Sequence, residues 1–288
     1  MALDSEKTVR QMTQQSHSNF GLSFFFLSQA KKKAMTTLYA FCRHVDDLAD
    51  SNKIDAQAQI DWWRAEIKQL KNGKPHHPIS VEVEKIIRQY QIPIRYFDDL
   101  LKGVEMDLHK NRYQTFEELY DYCYHVASVV GLMALKIFGT QEKESELYAI
   151  NLGIALQLTN ILRDIDEDLE RGRIYLPQED LHRFGYTDRE LHHRTYNKAF
   201  TDLMRFEMER AKKFYRLAEG YSLTRDWKNL STAQIMGAVY YALLEEIESF
   251  DFAVFEKRIQ LGKTKKLKLA LSTYLKNFLF RLTGAGRK

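Results

Sequence analysis

A chain of 288 residues, 44% hydrophobic and 28% charged, is long enough to bury one large core or two small ones, which excludes a disordered chain or a bare peptide scaffold. Thirteen glycines and four prolines are too few to punctuate a β-sandwich or barrel, which needs turn residues roughly every 8 to 12 positions. The net charge of +4 conceals an asymmetry: the stretch from Gly262 to Lys288 carries eight basic residues and no acidic one, leaving −4 on the remainder.

Apolar periodicity reads as helix nearly throughout, broken where punctuation falls. The spacing predicts helices over 4–16, 30–51, 54–71, 80–91, 94–110, 115–138, 142–170, 178–183, 187–220, 230–250 and 264–282, none with an interior proline. Loops are expected at Asn72 to Pro78, Ile92-Pro93, Gly139-Thr140 and Arg171 to Pro177. Without an internal repeat or a Gly/Ser-rich linker, the expectation is one all-α domain over 1–288. Cys42 and Cys123 sit in apolar segments without metal spacing, so neither a disulfide framework nor a zinc site is expected, which fits the cytoplasm. Met1 to Ser18 holds no apolar run and no stretch of about 18 apolar residues occurs, so neither a secretory signal nor a membrane span is expected.

Two aspartate pairs stand out. Asp46 and Asp50 are four residues apart within one predicted helix, as are Asp164 and Asp168 in another, so each pair shares a helix face. Around the first, Tyr39, Arg43, Asp46 and Asp50 form a polar stripe beside the apolar row Leu38, Phe41, Cys42, Val45, Leu48 and Ala49. Around the second, Gly153, Gln157, Asn160, Asp164 and Asp168 align the same way, flanked by Leu152, Ile154, Leu156, Leu158, Ile161 and Leu162. Either pair alone reads as readily as a structural feature, a buried ion-pair network or a solvated edge, as it does as a functional site. Four carboxylates in core-forming sequence call for neutralising cations, and oxygen ligands without His or Cys at ligand spacing favour Mg²⁺ and, with it, a diphosphate. A cation formed on diphosphate loss would need aromatic walls, for which Tyr39 and the Tyr240/Tyr241 pair are the foremost candidates.

Two long segments carry a resemblance. Leu38-Tyr-Ala-Phe-Cys-Arg-His-Val-Asp-Asp-Leu-Ala-Asp50 and the run from Gln157 to Pro177 resemble the two signatures of the squalene and phytoene synthase family, whose members join two prenyl diphosphates head to head. Ser23-Phe24-Phe25, Gly103-Val-Glu-Met-Asp-Leu108 and Tyr122 to Gly131 support it. The resemblance implies an isoprenoid-synthase-like helical bundle around a central cavity. It implies Mg²⁺ at Asp46, Asp50, Asp164 and Asp168, phosphate contacts from Arg43, Arg163 and Arg173, a part for Ser23 at the first diphosphate, and Phe24 among the substrate-binding residues. Tyr39 would lie against that diphosphate, Gln157 and Asn160 would line the site, and Tyr240 with Arg258, or its neighbour Lys257, would close it.

The implied reaction is condensation of two farnesyl diphosphates to presqualene diphosphate, as in the bacterial hopanoid branch. NADPH enters only if squalene is the final product. Eukaryotic squalene synthases carry a Tyr where this chain has His125, which sets that second step in question; a satisfied core histidine is the plainer reading of His125. Alternatives on the same plan are phytoene synthesis from geranylgeranyl diphosphate, a farnesyl diphosphate phosphatase and a non-enzymatic assembly factor. Chain-elongating synthases and terpene cyclases fit worse, since Asp164-Ile-Asp-Glu-Asp168 is neither a second Asp-Asp-x-x-Asp box nor an Asn/Ser/Glu triad. No nucleic acid partner is expected, and oligomeric state is not legible. Residues 264–288 are expected to form a basic amphipathic helix with Leu267, Leu271, Tyr274, Leu275, Phe278 and Leu282 on one face: either a peripheral contact with the inner face of the membrane or a terminal helix packed on the core.

Overall fold

The computed structural model describes Ser5, Val9 and residues 23–50, 55–222 and 226–283. After a single 3₁₀ turn, Phe24–Phe26, the chain runs through α1 (Gln29–Asp50), α2 (Ala56–Gln69), α3 (Pro78–Tyr90), α4 (Ile94–His109) and α5 (Phe116–Cys123). A π-helical turn, Tyr124–Ser128, joins α5 to α6 (Val129–Phe138). Then follow α7 (Lys143–Arg163), α8 (Ile165–Glu170), α9 (Gln178–Arg183), α10 (Asp188–His192), α11 (Lys198–Gly220), α12 (Ser231–Ser249) and α13 (Lys263–Thr283). Among the described residues there is no strand, only an isolated bridge between Arg112 and Ile174. The all-α expectation stands; of the helix expected over 4–16, only Ser5 and Val9 fall within the described residues, both helical.

Local chemistry sets most boundaries. Pro78 occupies the first turn of α3, where its missing N–H costs nothing, and the buried Glu66 carboxylate accepts from the backbone N–H groups of His76 (2.6 Å) and His77 (3.1 Å) just before it. Thr115 and Asn197 cap α5 and α11 by accepting from Glu118 N–H and Phe200 N–H. A distant residue caps α7: Asp226 Oδ2 accepts from the N–H groups of Gln141 and Glu142, both at 2.7 Å, and from Ser145 Oγ.

Three predicted helices are interrupted. The stretch 115–138 carries the π turn, 187–220 breaks around Arg194, whose φ is +53°, and 142–170 breaks at Asp164. Periodicity does not reveal the π turn or the break at Asp164, because apolar spacing continues across both.

The apolar row of α1 behaves as its spacing implies. Leu38, Phe41, Val45 and Leu48 are buried, each contributing ~1.5–3 kcal/mol by burial, and Phe41 meets Trp63 of α2 and Phe97 of α4 edge-on at 5.5 and 5.3 Å. This packing turns the polar stripe of α1 toward a central cavity. On the opposite side α7 buries Leu152, Ile154, Leu158, Ile161 and Leu162, and so presents Gly153, Gln157 and Asn160 to the same space.

Two glycines fix the remaining wall. A Cβ on Gly153 of α7 would lie 2.6 Å from Ser128 Cα, and one on Gly103 of α4 would lie 2.7 Å from Val126 Cγ1. The π turn is therefore gripped between two helix backbones that only glycine lets this close, and it brings Val126 and Ala127 to the cavity.

Candidate active site

The cavity has a volume of ≈ 840 Å³. Most of its lining is apolar, from Met35, Leu38, Val130, Leu135, Phe138, Leu152, Leu156, Met236 and Leu243. Charge is confined to one set of residues: the cations Arg43, Arg163, Arg258 and Lys266, and the anions Asp46 and Asp47. A greasy chamber with a net cationic rim suits a ligand with a long apolar body and an anionic head.

Most residues expected to form a site reach this wall. Phe24, Tyr39, Arg43 and Asp46 come from the first 3₁₀ turn and α1; Gln157, Asn160 and Arg163 from α7; Tyr240 from α12; and Arg258 from the segment before α13. Lys257, the alternative to Arg258, instead lies over the Phe250 ring, its Nζ 4.1 Å from the centroid. The side chain of Asp50 lies outside the described residues. Ser23 is buried and is not on the wall. Neither is Arg173, whose guanidinium donates to the Ala49 carbonyl at 2.9 Å; it joins the segment after the second aspartate pair to the C-terminal turn of α1.

The second aspartate pair stands behind the wall. Asp164 is the residue at which α7 ends and α8 begins, yet Asp168 N–H still donates to the Asp164 carbonyl at 2.9 Å, so the two stay one turn apart. Asp164 accepts from Arg163 through both oxygens, with Nε to Oδ1 at 2.7 Å, and from Arg258 at 2.9 and 3.2 Å. Burial alone would raise its carboxyl, but these guanidinium bonds hold it below the ordinary range. The two arginines facing the cavity are thus fixed by a carboxylate just behind them.

Asp168 is different. Burial, then the negative charges of Asp164 and Asp107, push its carboxyl up to about 8 against the opposing pull of Arg171 and Arg173. It lines a small recess with Ile161, Arg173 and Tyr175. Among the described residues no group of three or more His, Cys, Asp or Glu side chains is arranged to hold a metal ion.

Several contributors were not singled out from sequence. Asp47 pairs with Arg43 at 2.7 Å on the rim. Lys266, read as part of a basic tail, lines the cavity, its ammonium weakened by burial and by Arg163. Behind Asp168, Asp107 accepts from Tyr122 (2.9 Å) and Tyr175 (2.7 Å), whose rings stack at 5.0 Å. The motif Gly103 to Leu108 could have revealed this: Gly103 admits the π turn, Glu105 takes a two-point bond from Arg64 (3.0 and 2.7 Å), and Asp107 holds the tyrosine of the loop after α8. His125 is a satisfied core histidine, its Nδ1 2.7 Å from the Asp121 carbonyl and its side chain off the cavity wall.

Comparison with known proteins agrees with this geometry. A family model described as squalene/phytoene synthase matches residues 13–265. A phytoene synthase of Arthrospira platensis is 37% identical over 281 residues, covering 92% of this chain and 90% of that protein. A 15-cis-phytoene synthase of Synechococcus elongatus is 35% identical over 92% of this chain and 90% of its own length. Among solved structures, a dehydrosqualene synthase in complex with a ligand superposes with a TM-score of 0.86 at 27% identity, covering 96% of this chain and 98% of that one. A squalene synthase of Alicyclobacillus acidocaldarius does so with a TM-score of 0.80 at 28% identity, covering 87% and 95%. The chain belongs to the squalene/phytoene synthase family of head-to-head prenyltransferases.

Proposed function

We propose that the protein condenses two farnesyl diphosphates head to head to presqualene diphosphate. The observation that carries the reading is the ≈ 840 Å³ apolar cavity whose charged lining is net cationic, Arg43, Arg163, Arg258 and Lys266 against Asp46 and Asp47. The apolar lining takes the prenyl chains and excludes water, while the rim takes the diphosphates.

The residues present fit Mg²⁺. The candidate donors are oxygens, Asn160 Oδ1 is buried at the wall without a hydrogen-bond partner, and Asp168 is a buried carboxyl short of positive charge. Asp46, Asp50, Asp164 and Asp168 would hold the ions, which supply positive charge to the departing diphosphate. Arg43, Arg163, Arg258 and Lys266 bind and orient phosphate oxygens. As the C–O bond of the donor breaks, its electron pair leaves with diphosphate, and Tyr39 and Tyr240 present electron-rich faces toward the allylic cation. The C2=C3 π bond of the acceptor attacks C1 of that cation, and loss of a proton to the released diphosphate or a phenol closes the cyclopropane.

A second reading, phytoene synthesis from two geranylgeranyl diphosphates, is favoured by the 37% and 35% identities to phytoene synthases. Incubation of purified protein and Mg²⁺ with each diphosphate, with and without NADPH, followed by mass analysis of the lipid extract, separates the readings. Presqualene diphosphate supports the first, phytoene the second, and farnesol alone overturns both.

A further inference from the structure

The terminal helix α13 packs with the wrong face inward for an ordinary amphipathic helix. It lies along α12 through Ala270, which is fully buried, through Asn277, which donates to Ser231 Oγ (3.1 Å) and Gln234 Oε1 (2.7 Å), and through a Lys265–Glu246 ion pair. Tyr274 also turns inward, stacking on Phe26 with centroids 4.4 Å apart. Left outside are Leu267, Leu271, Leu275, Phe278 and Leu279, each 43–59% exposed at helical spacing along one side. The Phe26–Tyr274 stack places beside them the 3₁₀ turn of Phe25, which is 73% exposed.

An exposed apolar row of this length on a soluble surface needs an occupant. Charge identifies it. Lys263, Lys268 and Lys276 lie on the same helix, and no acidic residue occurs from Gly262 to the end of the chain. Leucines and a phenylalanine beside lysines suit an anionic lipid bilayer, the apolar side chains entering the acyl boundary and the ammonium groups meeting headgroup phosphates. No described helix is long and apolar enough to cross a membrane, so the contact is interfacial.

We propose that α13 and Phe25 together form a docking surface for an anionic bilayer, set against the cavity so that lipid passes between the two. Adjacent residues make the connection: Phe24 lines the cavity while Phe25 faces out, and Lys266 lines it while Leu267 faces out. The docking surface stands without the catalytic reading, because vesicle binding is measured without turnover.

The test is flotation with phosphatidylcholine vesicles with and without phosphatidylglycerol. The wild-type protein floats with the anionic vesicles and is released by salt. Leu271→Ser/Leu275→Ser and, separately, Phe25→Ser weaken the partition by about tenfold or more, as loss of buried apolar area requires. Leu271→Met/Leu275→Met retains it. Circular dichroism and product formation from detergent-dispersed substrate confirm that the serine variants are folded. No flotation of the wild type, or flotation unchanged by both serine variants, overturns the proposal. So does a dimer, seen by light scattering, that the serine variants dissociate in a protein that does not float, which assigns the face to a second copy of the chain.

Discussion

The two aspartate motifs have similar spacing and opposite electrostatics. Asp46 lies on an uninterrupted helix, exposed at the cavity rim, with Arg43 tied to the neighbouring Asp47 instead. Asp164 lies at a helix break, its oxygens already taking four bonds from Arg163 and Arg258, about the full acceptor capacity of a carboxylate. Asp168, one turn on, has the reverse problem: it is buried among negative charges with too little compensation. The first motif faces the cavity from an exposed position. On the proposed metal reading the second would have to exchange arginine bonds for a cation, and Arg258, with a half-exposed side chain on a non-helical segment, is the partner of Asp164 that would move.

The largest expected effect tests the shared part of this contrast. Asp46→Asn and Asp168→Asn each lower turnover with Mg²⁺ by on the order of 10²–10³-fold, the cost of losing one electrostatic contact to a developing charge, while the circular dichroism spectrum is unchanged. Near-normal product formation by either variant breaks the metal assignment. Gly153→Ala tests the placement of the second helix. Its Cβ would press on the Ser128 backbone, so unfolding in urea should show a loss of roughly 1–3 kcal/mol.

Arg258→Ala sharpens the distinction between the sites. With two of the four bonds to Asp164 removed and those from Arg163 kept, titration of the substrate-free protein with Mn²⁺ should show roughly tenfold tighter binding, about 1.4 kcal/mol; unchanged affinity means that Arg258 does not compete with the metal. A separate effect is on pH dependence. Because Asp168 is raised from 3.8 to about 8 in the folded protein, its contribution to stability is fully present below about pH 4 and is lost as pH rises toward 8. Without metal, Asp168→Asn should therefore melt higher than the wild type at pH 8, by about 2–4 °C for each kcal/mol recovered, and added Mg²⁺ should close the gap. Equal melting temperatures at pH 8 would show that Asp168 is already neutralised within the protein.

Helical content and the polar stripes on α1 and α7 were legible in sequence because each depends on periodicity within a single helix. So was the character of His125, a lone histidine in core-forming sequence. The break at Asp164 was not, since Ile161, Leu162, Ile165 and Leu169 keep apolar spacing through it. Nor was the split personality of α13. Its row of Leu267, Leu271, Tyr274, Leu275 and Phe278 was visible, but the expectation that such a row either packs or meets a membrane as a unit missed that Tyr274 turns inward while the others stay out.

By itself the sequence determined most of the helices and the family, because spacing and composition act along the chain. Only the tertiary structure decided how deeply each charge is buried and which distant partners it meets. Arg258 meets Asp164 across 94 positions and Arg173 meets the Ala49 carbonyl across 124, and burial changes the cost of a carboxylate without changing any letter of the motif that holds it.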